Sequence, residues 1–539
     1  MKLNYIRSFF CISLLSTSIL FFNPSHASEF DLFNEDLFPN ISINEMNNFC
    51  RIDKNGVVSL LRDLGAIAIL EEFFYKHTNK INIRSLLDYP FNLFKEGNRH
   101  NHFGFELFYN FMHRCYFTSN SSRIGSYLAL EDPDFLAQIE AIFDEIKEND
   151  LSAVDPSFIL PILSMFADFT VQQRRLGFMF HGNREYRRWH FEFYFPLYYL
   201  ECNHFVEDEQ KQAIEQALKP FVPPATDAEI TAFQDQHFIS DKLGFGDLRL
   251  MLDRPLIQQH FWKMRFGLFA TIPTACALTK GLKGSTFHLV TQRPTLDLID
   301  LFDTLRVGAS LTETQAFNFA LGALDELAAM LLEQPLGNGG HVGLGFYLKN
   351  KTPLSSFLTK DWAHRVIFKS FLSLEYQFPN THLRAFVTQD DSAEFAAHDF
   401  DSTDDQEIND NYNFLVQKIV ERFYPFAVPT KIQPGVIFRS DTQIFIDLLG
   451  GVFTLGSDTW VQGKEKLSHV VTPPSATTPL SVRKAQGPFA YQWKYYISAA
   501  WKKEHRDKLV KVGLYGDTTW ANSGIGQDFT ITFSFDVVF

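Results

Sequence analysis

The residues best equipped for chemistry in this chain are scattered histidines and a set of charges that fall on alternating segments. His100, His102, His181, His190 and His204 offer imidazoles for metal binding or general-base work. No Cys/His or His/Glu spacing of a zinc motif accompanies them, so no metal site is expected. Gly337-Asn338-Gly339-Gly340 precedes a strand-like run rather than a helix. It therefore lacks the helix N-terminus of a phosphate cradle and is expected as a turn. Asp399, Asp401, Asp404 and Asp405 have carboxylates for calcium. The glycine of a calcium loop is missing there, so a solvated acidic loop is expected. A hydrolase needs a nucleophile, a base and an orienting group brought together in space, which no local motif here supplies. Neither a catalytic residue nor a cofactor is expected.

The remaining charges share one property, their place on the polar side of segments that alternate. Arg175, Arg249, Lys263, Arg265, Lys369, Lys494 and Lys511 occupy that side, opposed by Glu106, Glu192, Asp247, Glu375 and Asp536. Side chains on a strand point to opposite faces with period two, so these residues would share one wall of a sheet, mixed in sign and slightly basic. One reading is that they pair across strands and only hydrate an interior. The other is that they line a narrow aqueous pathway with a mild preference for anionic solutes.

The elements that would position them begin with His102 to Met112, where Phe103, Phe105, Leu107, Tyr109 and Phe111 share a face. Further strands are expected at Arg175 to His181, Trp189 to Tyr199, Asp247 to Asp253, Trp262 to Ile272, Val342 to Lys349 and Arg365 to Phe378. Gly182-Asn183-Arg184-Glu185 and Arg254 to Phe261 read as two of the tight connections. Pro434 to Phe438 and Gln443 to Leu455 follow, separated by Arg439-Ser440-Asp441-Thr442, then Tyr491 to Trp501 and a strand through Val510, Val512 and Leu514. The terminal run closes the set: Phe529, Ile531, Phe533, Phe535, Val537 and Phe539 lie on one side, and Thr530, Thr532, Ser534 and Asp536 on the other. The total is about twelve strands in five tight hairpins between long connections, with the first and last strands free to pair.

A soluble β-sandwich also alternates, but strands of this length with five or six large apolar groups on one face would need an unusually large core. The 58 phenylalanines, with Trp189, Trp262, Trp493, Trp501 and Tyr199 near strand ends, suit a lipid face edged by interfacial rings. Arginine at Phe533 should then be costly, while arginine at Thr532 should be tolerated by a watery lumen.

A final amphipathic strand ending on Phe539 resembles the C-terminal signature of bacterial outer-membrane β-barrels. That resemblance implies a closed antiparallel barrel, outer-membrane lipid and the barrel-assembly machinery as partners, Phe539 as an assembly signal, and termini and tight turns on the periplasmic side. Gly244-Phe245-Gly246-Asp247-Leu248 with Ile272-Pro273-Thr274 is similar to a hairpin of outer-membrane proteins of aromatic or fatty-acid uptake, with Ala275 where those carry glycine.

The amino end agrees. Lys2 and Arg7 precede an apolar stretch, Phe9 to Phe22, and Ser25-His26-Ala27 is a small-x-small cleavage site, so residues 1–27 read as a secretory signal peptide. Its loss moves the formal charge from −14 to about −16, an acidic chain with no nucleic acid among its expected partners. Residues 28–98, with helical spacing from Val57 to Tyr75, form an expected periplasmic or plug-like segment, and 99–539 the barrel. Helices are expected in the long loops at Asp132 to Lys147, Thr312 to Glu333 and Ile408 to Phe423. Cys50, Cys115, Cys202 and Cys276 meet an oxidising compartment, where a loop disulfide and free thiols are equally expected. The function expected is a porin or solute channel passing small solutes. A surface-binding or structural barrel acting through its loops and an outer-membrane hydrolase are the alternatives.

Overall fold

A computed structural model describes residues 84–90, 102–116, 122–123, 169–205, 235–259, 261–287, 322, 325–387, 406, 410, 414, 426–448, 450–470, 479–505 and 508–538. The expected signal peptide, the helices expected at 57–75 and 132–147, nearly all of that expected at 408–423, the acidic 399–405 run, Cys50 and Phe539 lie outside them.

Seventeen strands follow in chain order: β1 (His102–Arg114), β2 (Thr170–Tyr186), β3 (Trp189–Phe205), β4 (Ile239–Phe245), β5 (Leu248–Gln259), β6 (Trp262–Ile272), β7 (Cys276–Lys280), β8 (Gly343–Pro353), β9 (Val366–Gln377), β10 (Asn380–Phe386), β11 (Phe426–Gln433), β12 (Ile437–Leu448), β13 (Gly451–Gln462), β14 (Lys466–Ser468), β15 (Ala490–His505), β16 (Lys508–Ser523) and β17 (Gln527–Val538). Twelve of them form one ring. From β1 the order runs through β17, β16, β15, β13, β12, β9, β8, β6, β5 and β3 to β2, which pairs back to β1. Every pairing is antiparallel, and the seam between first and last strands runs in register from His102↔Val538 to Phe111↔Phe529. Closure matters physically because an open edge would leave backbone amides without partners in hydrocarbon.

The remaining strands extend the wall past the long-loop end. β4 and β7 prolong the lines of β5 and β6 after short breaks, while β10, β11 and β14 form a separate sheet. That sheet encloses a small core of Phe386, Phe426, Val428, Leu480 and Ala485. At the break before β5, Asp247 ties three segments together. It accepts hydrogen bonds from the backbone N–H of Ala275 at 3.4 Å and of Asn338 at 2.6 Å. The Gly337-Asn338-Gly339-Gly340 turn is thus fixed by the hairpin it faces, with Gly339 and Gly340 at positive φ.

Several boundaries differ from the sequence expectation. Gly182 to Glu185 are not a turn: they stay paired opposite Phe193 to His190, and the chain reverses at Arg187-Arg188, with Arg187 at φ 58°. Gly182 is glycine because the Phe193 ring fills its Cβ position, 2.6 Å away. The segment after Asp253 likewise remains strand to Gln259, passing Pro255 at an irregularity where a missing N–H is tolerated. Arg439 to Thr442 lie mid-strand in β12, and the chain reverses only between Leu448 and Gly451, with Gly450 at positive φ. Ser440 and Thr442 interrupt the outward apolar row, which made four residues of strand look like a turn. The β16–β17 connection is only 524–526, so one link at the long-loop end is short. Within the expected 312–333 helix, residues 325–331 are helical, and Leu327 to Leu332 are buried. Cys115, Cys202 and Cys276 are free thiols, which removes the disulfide among these three.

Candidate functional site

The two faces of the ring are chemically inverted relative to a soluble protein. Phe103, Leu107, Leu176, Phe178, Leu268, Phe346, Ile497, Leu514, Ile531 and Phe533 are exposed, and their strand neighbours of opposite parity, Glu106, Arg175, His181, Arg249, Lys494 and Asp536, are buried. Aqueous solvent outside would demand the reverse, since burying charge while exposing a continuous apolar belt gains nothing in water. The ring is a closed transmembrane β-barrel, apolar outward and polar inward.

Inside this barrel sits a stretch that belongs to no strand, residues 84–90, all but Ser85 buried. Its middle forms a single 3-10 turn, Leu86–Asp88, started by the Ser85 hydroxyl, which accepts from the Leu87 N–H at 3.3 Å. Lumen charges grip it from around the wall. Arg175 of β2 donates to the Arg84 carbonyl at 2.9 Å. Arg249 of β5 donates to the Leu87 carbonyl at 3.1 Å and to Asp88 Oδ1 at 2.6 Å, and with its other nitrogen to Glu375 at 2.7 Å. Trp460 of β13 donates from Nε1 to Asp88 Oδ2 at 3.2 Å. The Arg84 guanidinium reaches Asp458 of β13 and Gln492 of β15, and the Tyr89 hydroxyl donates to Asp528 of β17.

A fully buried ion pair is tolerable only when its remaining donors and acceptors are also satisfied. Here the pairs interlock: Arg439 donates to Asp458 at 2.8 Å, Lys494 to Asp517 at 3.2 Å and also to Asp528, and Gln492 to Asp528 at 2.8 Å. Burial works against the ionised form of Asp88, yet Arg249, Arg439 and Arg84 hold its carboxyl below the usual carboxylate range. A residual cavity beside the segment is bounded by Arg84, Arg175, Tyr198, Asp247 and Leu336.

Of the residues expected on the polar wall, Arg175, Arg249, Lys369, Lys494, Glu106 and Glu192 are buried on the inner face. Glu192 accepts from Lys349 at 2.6 Å and from the Tyr194 hydroxyl at 2.9 Å, while the Lys369 ammonium stands 3.4 Å from the Phe445 ring centroid. Arg265 is half-buried against Asp253, and Lys511 is half-buried. Lys263 has inward parity but is exposed next to the tight turn, because the wall ends there. Arg175, Arg249 and Lys494 converge on the 84–90 segment. Arg84, Asp88, Arg439, Asp458 and Asp528 were missed. Arg439 fell in the misread turn, Asp458 and Asp528 lay just outside the expected strands, and Arg84 and Asp88 carry no periodic signal.

Among the described residues, two groups of metal-type donors also appear, His102/His181/Asp536 and His190/Glu192/Asp253, each with its ligand atoms within 4.8 Å of one another.

No family model and no curated protein matches the chain. Among solved structures, an outer membrane channel from Pseudomonas putida F1 is 8% identical over 83% of this chain and 100% of its own, with a TM-score of 0.37. The transport unit of the autotransporter AIDA-I from Escherichia coli is 6% identical over 84% and 95%, at 0.30. The Pseudomonas putida toluene transporter TodX is 7% identical over 86% and 95%, at 0.25. At these identities and scores the likeness adds nothing to the strand pairing, on which the barrel assignment rests.

Proposed function

We propose that the protein is an outer-membrane solute channel held closed by its own 84–90 segment. The observation that carries this reading is the manner of filling. A barrel with a purely structural role can fill its interior with side chains from its own strands. Here a separable piece of backbone enters, and wall residues on β2, β5, β13, β15 and β17 spend their hydrogen bonds on it. A stopper implies something to stop. When it leaves, Arg175 loses its carbonyl partner and Arg249 keeps Glu375 but loses Asp88, while Asp458 loses Arg84 and Asp528 loses Tyr89, which leaves an opened constriction lined by charges of both signs.

Single-channel recording in planar bilayers tests the reading. The intact chain should show rare or small steps. A chain lacking residues 84–90, and separately an Arg84→Ala/Asp88→Ala variant, should show larger and longer openings. Folded variants that stay electrically silent would overturn it in favour of a barrel that binds through its loops, and silence with lipid or peptide hydrolysis would favour an enzyme.

A further inference from the structure

We propose that His102, His181 and Asp536 form a binding site for a divalent transition-metal cation of the zinc type, tying together the three strands at the barrel's closing seam. The proposal does not depend on the channel reading.

The site is built by register. Gly104 of β1 stands opposite His181 of β2 on one side and Asp536 of β17 on the other. His181 Nε2 and Asp536 Oδ1 meet at 2.6 Å across that glycine. A Cβ on residue 104 would lie 2.2 Å from Asp536 Oδ1 and 2.6 Å from His181 Nε2, so any side chain there would occupy the space in which they meet. His102, two residues earlier on β1, shares the inner face, and its ring centroid is 5.3 Å from that of His181. All three residues are buried, at 6%, 1% and 5% exposure, so the donors are shielded from bulk water and held by packing.

Two imidazole nitrogens and one carboxylate oxygen are the donor set that zinc-type ions favour when three protein ligands leave a fourth position for water. The present His181–Asp536 hydrogen bond occupies the place of the metal bonds. On binding, Nε2 and Oδ1 both turn to the cation, and the proton between them passes to Nδ1 of a neutral His181 or to solvent from a protonated one. The second donor group is already held by fixed cations. Its Glu192 already pairs with Lys349 at 2.6 Å and its Asp253 with Arg265, so fixed cations supply the charge that a metal would bring. At the seam the neighbouring cation is Lys511, opposite Asp536 on β16 and half-buried.

The test uses the full chain refolded in detergent, stripped by chelator and titrated calorimetrically with zinc chloride. One saturable site per barrel is expected. His102→Ala, His181→Ala and Asp536→Asn should each weaken it at least about ten-fold. His190→Ala should leave it unchanged. Folding of each variant is read from its heat-modifiable gel migration. If His181→Ala does not fold, His102→Gln and the visible absorption of cobalt(II) bound to the unaltered chain decide, the spectrum reporting low-coordinate nitrogen and oxygen ligation. No saturable zinc binding, binding indifferent to His102 and Asp536, or binding lost with His190 would each overturn the proposal.

Discussion

At the scale of single residues, the interior proves less forgiving than a watery lumen. Phe533 is 45% exposed at the middle of β17, between Leu107 and Leu514, which are exposed as well. Phe533→Arg places a guanidinium in the belt and should cost about 2–4 kcal/mol in reversible unfolding from liposomes. A cost below about 1 kcal/mol would mean that this belt does not face hydrocarbon. Thr532 was expected to tolerate arginine. In the structure it is 1% exposed between Phe108 and Tyr515, so arginine there must displace two packed rings instead of meeting water. Alternation identified which way each residue points. It carried no information on how full the space it points into would be.

At the scale of elements, one construction recurs on the inner wall: a side chain lies across a glycine of the next strand to reach an acid beyond it. His181 crosses Gly104 to Asp536. Tyr347 of β8 crosses Gly267 of β6, and its hydroxyl donates to Asp253 of β5 at 2.9 Å. Tyr496 of β15 crosses Gly456 of β13 to donate to Asp441 of β12 at 2.8 Å. Each stitch spans three strands and fixes their register, because a one-residue slip would turn the ring to the lipid side. A Cβ at position 456 would fall 2.1 Å from Tyr496 Cζ, and the ring is buried with no easy retreat. Gly456→Ala should therefore destabilise by about 1–3 kcal/mol, measured by denaturant unfolding, and Tyr496→Phe in the same background should not restore it. An unchanged midpoint would show that the ring moves freely. These glycines were visible in the sequence as gaps in the polar row, but nothing local marked them as seats for rings from another strand.

At the scale of the whole molecule, the ring makes every strand dependent on both neighbours, so unfolding has no edge from which to begin. The boiled and unboiled chain should migrate differently on detergent gels, the unboiled form remaining compact. Identical migration of a sample shown by circular dichroism to be rich in strand would count against a closed ring. The buried charges belong to this scale too. Arg84 and Asp88 reach partners as distant in sequence as Gln492 and Trp460, and neither end of such a pair announces the other.

The sequence by itself determined the membrane barrel: the period-two pattern sets which face is apolar, strand length matches a bilayer, and His102 to Met112 and Phe529 onward are the two ends that pair. It also assigned Arg175, Arg249, Lys494 and Asp536 the parity opposite to the apolar row, since parity is a local property. Only the tertiary structure decided where strands continue through polar stretches such as Arg439 to Thr442, because ladder hydrogen bonds hold an element together where its side chains do not advertise it. It alone brought residues 84–90 into the lumen and His102, His181 and Asp536 to one point. Those meetings depend on closure and register, which arise between strands and leave no periodic trace within one.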